Sequence, residues 1–159
     1  MLARTHVVTP LPAWETNRLK RITSYPKRHL ADTALALALA GIDVDELSID
    51  PTLAGRFVEW FVVAQLRPEV DAASGHLSHL RTRGGDHEVD IVIDIGGRLV
   101  GIDVKAGVSP TAGDARHLTW LRSQLGDRLD ACIVLHRGES TFELVDGVWA
   151  TPISSIWST

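Results

Sequence analysis

Residues 87–107, HEVDIVIDIGGRLVGIDVKAG, combine acidic side chains and a lysine in two runs of alternating polar and apolar residues. Such alternation predicts a β-strand on each side, and Gly96-Gly97 between the runs is typical of a tight hairpin. With these glycines as the loop, Asp90 lies directly opposite Asp103, and Lys105 follows two residues later. Like charges facing each other destabilise a sheet, and a bound divalent cation would remove that penalty. The stretch predicts either a metal site or an exposed charged face that Lys105 neutralises.

The same alternation assigns the hairpin residues to two faces. A polar face is predicted to carry the side chains of Glu88, Asp90, Val92 and Asp94 from the first strand and Gly101, Asp103 and Lys105 from the second. The opposite face is predicted to be core and consists of Val89, Ile91, Ile93, Ile102 and Val104. In this register Glu88 lies opposite Lys105.

Length and composition bound the class of protein. A chain of 159 residues with 45% apolar residues fits one domain with a substantial core. The single cysteine, Cys132, lies in an apolar run, so it forms neither an intrachain disulfide nor a cysteine-based zinc site, and a reducing, cytoplasmic setting is expected. There is no apolar run of about 18 residues that could span a membrane, and the start lacks the apolar core of a signal peptide.

Charge is spread unevenly along the chain. The net charge is −4, but the first thirty residues carry +5 and the remainder −9. We therefore divide the chain into a basic, extended linker or arm, residues 1–30, and a single domain, residues 31–159. A basic arm can meet nucleic acid or an acidic partner surface, or it can be a solvated segment that belongs beside another domain.

Two helices are predicted before the hairpin. Asp32 or Thr33 can cap a helix that Gly41 ends, and Asp50 followed by proline begins a second, longer helix. The longer helix is apolar on nearly every side, which is typical of a buried helix. Glu59 lies in its middle and either pairs with Arg56, points to a wet edge, or faces the acidic hairpin and helps hold a cation.

The remaining elements complete a mixed α/β (α+β) domain. The run HLSHLRTR predicts a strand before the hairpin, DARHLTWLRSQLG a helix after it, and ACIVLHR a strand buried on both faces. TFELV and GVWATPISSIW predict a closing hairpin. From residue 51 to 136 the predicted order is helix, strand, strand, strand, helix, strand, with a parallel crossover and a mixed central sheet flanked by helices.

This order, with acid…Asp…Asp-x-Lys placed on it, resembles the restriction-endonuclease-like superfamily, written PD-(D/E)XK. The whole chain is similar to the C-terminal domain of unknown function attached to a family of prokaryotic AAA-type ATPases. The resemblance is carried by five segments: PLPAWETNRLKRI, YPKRHLADTALALALAG, GRFVEWFVVAQL, HLRTRGGDHEVDIVI and GIDVKAG. The ATPase half of such proteins would carry a phosphate-binding loop, G-x-x-x-x-G-K-[ST], and this chain has none.

The superfamily resemblance implies a catalytic set of four residues. Glu59 matches the acid of the first helix, Asp90 the first motif aspartate, Asp103 the second motif acid, and Lys105 the motif lysine. Two positions depart from the family pattern. Val89 stands where a proline is expected before the first aspartate, and Gln65 stands where relatives often carry a second helix glutamate.

If the domain is active, the expected cofactor is Mg²⁺ or Mn²⁺. The metal ligands would be the carboxylates of Asp90, Asp103 and Glu59 together with the carbonyl of Val104. The ion would activate a water, and Lys105 would orient that water or stabilise charge on the phosphorane.

Contacts to nucleic acid are expected from the strand before the hairpin. Arg81 and Arg83 can bind backbone phosphates of DNA or RNA, or they can pair with Glu88 or Asp86. Zinc chemistry is not expected at His76 and His79, because side chains three residues apart on a strand point to opposite faces.

Two functions follow from these observations. The first is a metal-dependent phosphodiesterase that acts on DNA or RNA, which the acidic set with Lys105 favours. The second is a nuclease-like fold used as a non-catalytic module that docks an AAA-type ATPase or binds nucleic acid. The absence of a strongly basic surface favours the second, since phosphate contacts usually need several cations.

Overall fold

A computed structural model describes residues 7–15 and 25–157. Within these residues the fold is mixed α+β, with a two-stranded sheet, a six-stranded mixed sheet and four helices. In chain order the elements are β1 (Val8–Leu11), β2 (Lys27–Leu30), α1 (Thr33–Ala40), α2 (Val44–Ile49), α3 (Pro51–Ala72), β3 (His76–Arg81), β4 (Glu88–Ile95), β5 (Arg98–Val104), α4 (Arg116–Leu125), β6 (Leu129–His136), β7 (Phe142–Val145) and β8 (Val148–Pro152). The order predicted for residues 51–136 is confirmed, whereas the strands β1 and β2 and the short helix α2 were not predicted.

The six-stranded main sheet has the order β3-β4-β5-β6-β8-β7. Neighbours β3, β4 and β5 are antiparallel, β5, β6 and β8 are parallel, and β7 is antiparallel to β8. The helix α4 lies between the parallel strands β5 and β6 along the chain, as a parallel connection requires. The predicted mixed sheet and the closing hairpin are both confirmed.

The register of the central hairpin follows the sequence prediction, but the assignment of faces is wrong at its far end. Ile95 pairs with Arg98, and the same offset holds as far as Ile91 and Ile102. On the other side of β4, Ser78 pairs with Val92 but Leu80 pairs with Val89, so β4 carries one extra residue there. Such a bulge reverses the alternation of side chains beyond it.

Two hydrophobic clusters cover the two faces of the main sheet. The cluster under α4 contains Leu80, Val89, Val92, Leu99, Leu118, Leu121, Cys132 and Val134, among others. The cluster under α3 contains Leu11, Val62, Val63, Ile91, Ile93, Ile102, Val104 and Leu135, among others. Val89 and Val92 therefore pack together against α4, whereas the alternation placed them on opposite faces, and Val92 is core rather than polar surface.

Helix α3 begins where the sequence predicts. The side chain of Asp50 accepts hydrogen bonds from the backbone N–H groups of Thr52 (2.9 Å) and Leu53 (3.1 Å), and Pro51 occupies the first turn. The prediction that the helix is buried on every side is wrong. Only one face is fully buried, and residues such as Trp60 and Phe61 are half-exposed because α3 packs against a single face of the sheet.

The described part of the N-terminal arm packs against the domain. Strands β1 and β2 pair antiparallel, and Leu11 is completely buried in the cluster under α3. Ala13 then pairs with His79 alongside β3, which covers the free edge of the main sheet. The basic residues Arg4, Arg18, Lys20 and Arg21 lie outside the described residues. Among the described residues, no helix has the length and apolar character needed to cross a membrane.

Replacing the cap of α3 tests how strongly its start is fixed. We expect Asp50→Ala to lower the free energy of unfolding by about 1 kcal/mol, because two backbone donors lose their acceptor. Asp50→Asn, which keeps a side-chain oxygen, should retain most of the stability. Urea denaturation followed by circular dichroism measures both, and equal losses in the two variants would contradict a capping role.

Candidate functional site

A cluster of three carboxylates around one lysine lies between β2, α3 and β4. The Lys27 ammonium is 2.9 Å from Glu59 Oε1, 2.9 Å from Glu88 Oε1 and 3.7 Å from Asp90 Oδ1. All four side chains are largely screened from solvent, with side-chain exposures between 17% and 35%. We call these four residues the Lys27 cluster.

The local folding of each element explains why these side chains meet. Glu59 lies on α3, which packs on the same face of the sheet as Ile91 and Ile93. The bulge in β4 turns Val89 toward α4, so the residues on either side of it, Glu88 and Asp90, turn toward α3. Lys27, the first residue of β2, reaches this face because β1 and β2 pack there.

The pKa shifts in the Lys27 cluster show one cation shared by several anions. Burial lowers the pKa of Lys27, but the charges of Glu59 and Asp90 and the hydrogen bonds to Glu88 and Glu59 outweigh it, so the net shift is upward. The pKa of Glu59 is raised by burial and by the Asp90 charge, which together outweigh Lys27. Burial opposes ionisation of Glu88, yet Lys27 and Arg81 hold its pKa below the ordinary value. A single ammonium ion cannot fully compensate all three carboxylates.

Asp90 and Asp103 meet as the hairpin register predicts, and they do so by exchanging side-chain hydrogen bonds with the backbone. The backbone N–H of Asp90 donates to Asp103 Oδ1 (3.2 Å), and the backbone N–H of Val104 donates to Asp90 Oδ2 (2.9 Å). These side-chain hydrogen bonds join β4 and β5 beyond Ile91 and Ile102, where the backbone pairing of the two strands ends.

Asp103 is the most deeply buried of the predicted site residues. Its exposure is 2%, and its Oδ2 atom has no hydrogen-bond partner among the described residues. Burial and the nearby charge of Asp90 raise its pKa to about 7, against a smaller opposing effect of Lys105. A Cβ atom at Gly101 would touch Leu118 and Leu121, so alternation places Asp103 toward α4 rather than toward Glu59.

Lys105 forms its ion pair outside the Lys27 cluster. Its ammonium lies 3.6 Å from Asp114 Oδ1, in the turn before α4. Asp114 also accepts hydrogen bonds from the backbone and hydroxyl of Thr111 (2.8 and 3.0 Å), which fix it in a capping box. The motif lysine is therefore held by a separate acid on the α4 side.

The arginines predicted to contact nucleic acid lie at the end of β3 and beyond it. Arg81 is the last residue of the strand, is largely exposed, and lies 3.9 Å from Glu88. Arg83 is exposed in the turn between β3 and β4 and is not on the strand, which corrects the prediction. His76 is exposed and His79 is buried.

The structure thus brings together part of the predicted set. Glu59 and Asp90 meet, and Asp103 contacts Asp90, whereas Lys105 pairs elsewhere and Val104 uses its N–H toward Asp90. The sequence analysis did not predict that Lys27 belongs to this site, nor that Glu88 would pair with it. The available signal was weak: Lys27 is one of three lysines in the chain, and it lies in the YPKRHL segment assigned to the basic arm.

The Lys27 cluster does not fit a divalent cation as it stands. The lysine ammonium occupies the position between the carboxylates that a metal ion would need, and Asp103 faces the other side of the sheet. Within residues 7–15 and 25–157, no three His, Cys, Asp or Glu side chains are grouped to hold a metal ion. The arrangement can hold β2 against α3 and β4 through charge-assisted hydrogen bonds.

Fold and site define a mixed α+β domain with a lysine-filled acidic cluster at one end of its sheet. Residues 54–156 match the family described as a domain of unknown function, DUF4143, and the chain belongs to this family. Residues 1–46 match a second family description, the domain of unknown function DUF8612. The predicted membership of a family of unknown function is confirmed, while the nuclease-superfamily resemblance stays a prediction.

Two curated proteins resemble almost the whole chain. An uncharacterized protein of Mycobacterium bovis and one of Mycobacterium tuberculosis are each 33% identical over 156 residues. The match covers 96% of this chain but 33% of each relative. The chain therefore spans a third of the length of these relatives.

Removing the Lys27 ammonium should destabilise the domain. We expect Lys27→Met to lower the free energy of unfolding at pH 7 by about 2 kcal/mol, because three part-buried carboxylates lose their counter-ion. The pKa of Glu88 is lowered in the folded state, so its stabilising contribution is present at neutral pH and is lost as the pH falls through the carboxyl range. The effect of Lys27→Met should accordingly be smaller in acid.

Two variants serve as controls for the Lys27 measurement. Lys27→Arg keeps the charge, and Arg28→Met removes an exposed charge from the neighbouring position of β2. Both should cost less than Lys27→Met in urea denaturation at pH 7. A loss in Arg28→Met as large as that in Lys27→Met would show that only general charge balance matters.

The buried Asp103 should make stability depend on pH in the opposite direction. Its folded pKa of about 7 exceeds the ordinary 3.8, so the folded state binds the proton more tightly and loses stability as the pH rises toward 7. We expect Asp103→Asn to reduce the fall in unfolding free energy between pH 5 and pH 8 by on the order of 2 kcal/mol. Denaturant titrations at both pH values measure this, with exposed Asp146→Asn as the control. An unchanged pH dependence in Asp103→Asn would contradict the shift.

Proposed function

We propose that this chain is a non-catalytic accessory domain that docks to an AAA-type ATPase and uses a restriction-endonuclease-like fold for this purpose. The observation that carries the proposal is the Lys27 ammonium, which lies 2.9 Å from both Glu59 and Glu88. In a metal-dependent nuclease this space belongs to a cation that also binds the substrate phosphate. An ammonium ion fixed there supplies structural charge compensation instead.

The positions of Asp103 and Lys105 support a structural role. The two residues would act together with Glu59 and Asp90 in a nuclease, but Lys105 pairs with Asp114 and Asp103 lies toward α4. The pairing of Lys105 with Asp114 and the placement of Asp103 both weaken the metal-binding capacity of the predicted set.

Association with an ATPase is supported by the family and by chain length. Domains of the DUF4143 family are commonly associated with AAA-type ATPases. The mycobacterial relatives are about three times as long as the matched region, which leaves room for a further domain in those proteins. A domain whose acidic cluster is neutralised by its own lysine is consistent with a role in binding the ATPase domain rather than in catalysis.

A Mg²⁺-dependent or Mn²⁺-dependent phosphodiesterase acting on DNA or RNA is the second candidate. It is favoured by the convergence of Glu59 and Asp90 and by the contact between Asp90 and Asp103. In that case Lys27 would have to leave the carboxylates before a metal ion binds. The two candidates therefore differ in whether metal binding requires the loss of Lys27.

Manganese binding and nucleic-acid cleavage separate the two candidates. We expect the wild-type protein to leave the electron paramagnetic resonance signal of free Mn²⁺ unchanged at millimolar metal, because the ammonium ion occupies the carboxylates. Plasmid DNA, single-stranded DNA and RNA should remain intact with Mg²⁺ or Mn²⁺ present. Lys27→Met should gain Mn²⁺ binding, because without the ammonium ion between them the three carboxylates, which are not grouped to hold a metal ion in the present arrangement, can move together around one.

The matched control for this experiment is Lys27→Met combined with Asp90→Asn. Removal of one carboxylate should abolish the gained Mn²⁺ signal, which ties that signal to the Lys27 cluster. Metal-dependent cleavage by the wild-type protein, lost in both Asp90→Asn and Lys105→Ala, would overturn the accessory-domain proposal and establish the phosphodiesterase.

A further inference from the structure

The segment from α1 to α2 presents an apolar surface to solvent. Exposure reaches 41% at Leu35, 68% at Leu39, 66% at Val44 and 82% at Ile49. Within α1 and α2 the only fully buried residue among those described is Ala36. Exposed aliphatic side chains that share one helix face, as Leu35 and Leu39 do on α1, form the kind of apolar patch that marks an interaction surface.

Helical spacing organises the α1 part of this surface into a stripe. Ala34, Leu35, Ala38 and Leu39 are all exposed, and positions four apart lie on one side of a helix. The alternation of alanine with leucine lets another helix approach closely between the leucines. Gly41, with φ of 66°, ends the helix in the left-handed conformation and turns the chain into α2.

The border of the apolar surface is strongly acidic. Residues 31–50 contain five acids and neither lysine, arginine nor histidine. The acids are Asp32, Asp43, Asp45, Glu46 and Asp50, and all are exposed. Their charges repel an acidic partner or an anionic membrane and attract a cationic one.

We propose that the exposed face of α1, defined by Leu35 and Leu39, binds a partner helix with an apolar face and basic borders. The helix would lie along the Ala/Leu stripe of α1, with its lysines and arginines beside the acids of residues 31–50. In such docking of one helix on another, apolar anchors provide affinity and border charges provide orientation. The inference rests on the proposed docking function, for which it names the contact surface and the chemistry of the partner.

A binding measurement with a defined peptide tests this surface. The probe is a fluorescein-labelled synthetic helix with leucines along one face and lysines along both borders. We expect saturable binding to the full chain by fluorescence anisotropy, and a loss of about tenfold or more in affinity for Leu39→Glu or Leu35→Glu, because a carboxylate would then be buried at the contact. Asp45→Lys with Glu46→Lys should also weaken binding, and the effect should shrink at high salt.

Matched controls guard against non-specific attraction. Val108→Glu changes an apolar residue that is 61% exposed in the loop after β5, and it should leave the affinity unchanged. A peptide with glutamates in place of the lysines should not bind. Equal binding of both peptides, or an equal loss in Val108→Glu and Leu39→Glu, would overturn the proposal.

Sedimentation velocity tests whether a second copy of this chain occupies the surface instead. The wild-type protein should sediment as a monomer in the absence of the peptide. A dimer that Leu39→Glu dissociates would overturn the proposed partner chemistry. A protein that binds the peptide as expected and also cleaves DNA with Mg²⁺ would remove the accessory-domain proposal while leaving this surface in place.

Discussion

The contact of the Lys27 ammonium with three carboxylates is the constraint on which the arrangement of this domain depends. Glu59, Glu88 and Asp90 come from a helix and a strand that pack against each other through apolar residues, so their charges are forced together at the rim of that contact. Like charges held this way are destabilising unless a cation joins them. The cation comes from β2, so these ion pairs tie the two-stranded sheet to α3 and β4.

Local signals predicted most of the fold. The cap at Asp50, the stop at Gly41 and the loop at Gly96-Gly97 each depend on a few neighbouring residues, and the structure confirms all three. The hairpin register followed from the loop alone. It could be predicted because a two-residue turn fixes every pair that follows, as long as the alternation continues.

The parts of the site that could not be predicted depend on distant residues. The bulge in β4 arises from its pairing with β3, and no residue pattern within residues 88–92 predicts it. The additional residue in β4 turned Val89 toward α4 and Asp90 toward α3. As a result, the carboxylate of Asp90 lies near Lys27 rather than on the face that carries Lys105. Lys27 is 32 residues away from Glu59 in sequence, so spacing rules gave no indication of their contact. The Asp-x-Lys tripeptide was predicted to place its lysine at the acidic site, but the lysine pairs with Asp114.

The two family matches divide the chain between residues 46 and 54, yet the physical structure crosses that division. Leu11 and Lys27 fall in the first segment, while the core and the carboxylates that they complete fall in the second. Ala13 of the first segment also shields the strand edge at His79. A recombination event that separated the segments would leave the second with an open sheet edge and uncompensated charge. Selection should therefore keep the two segments together as one inherited unit, whatever further domains are joined to them.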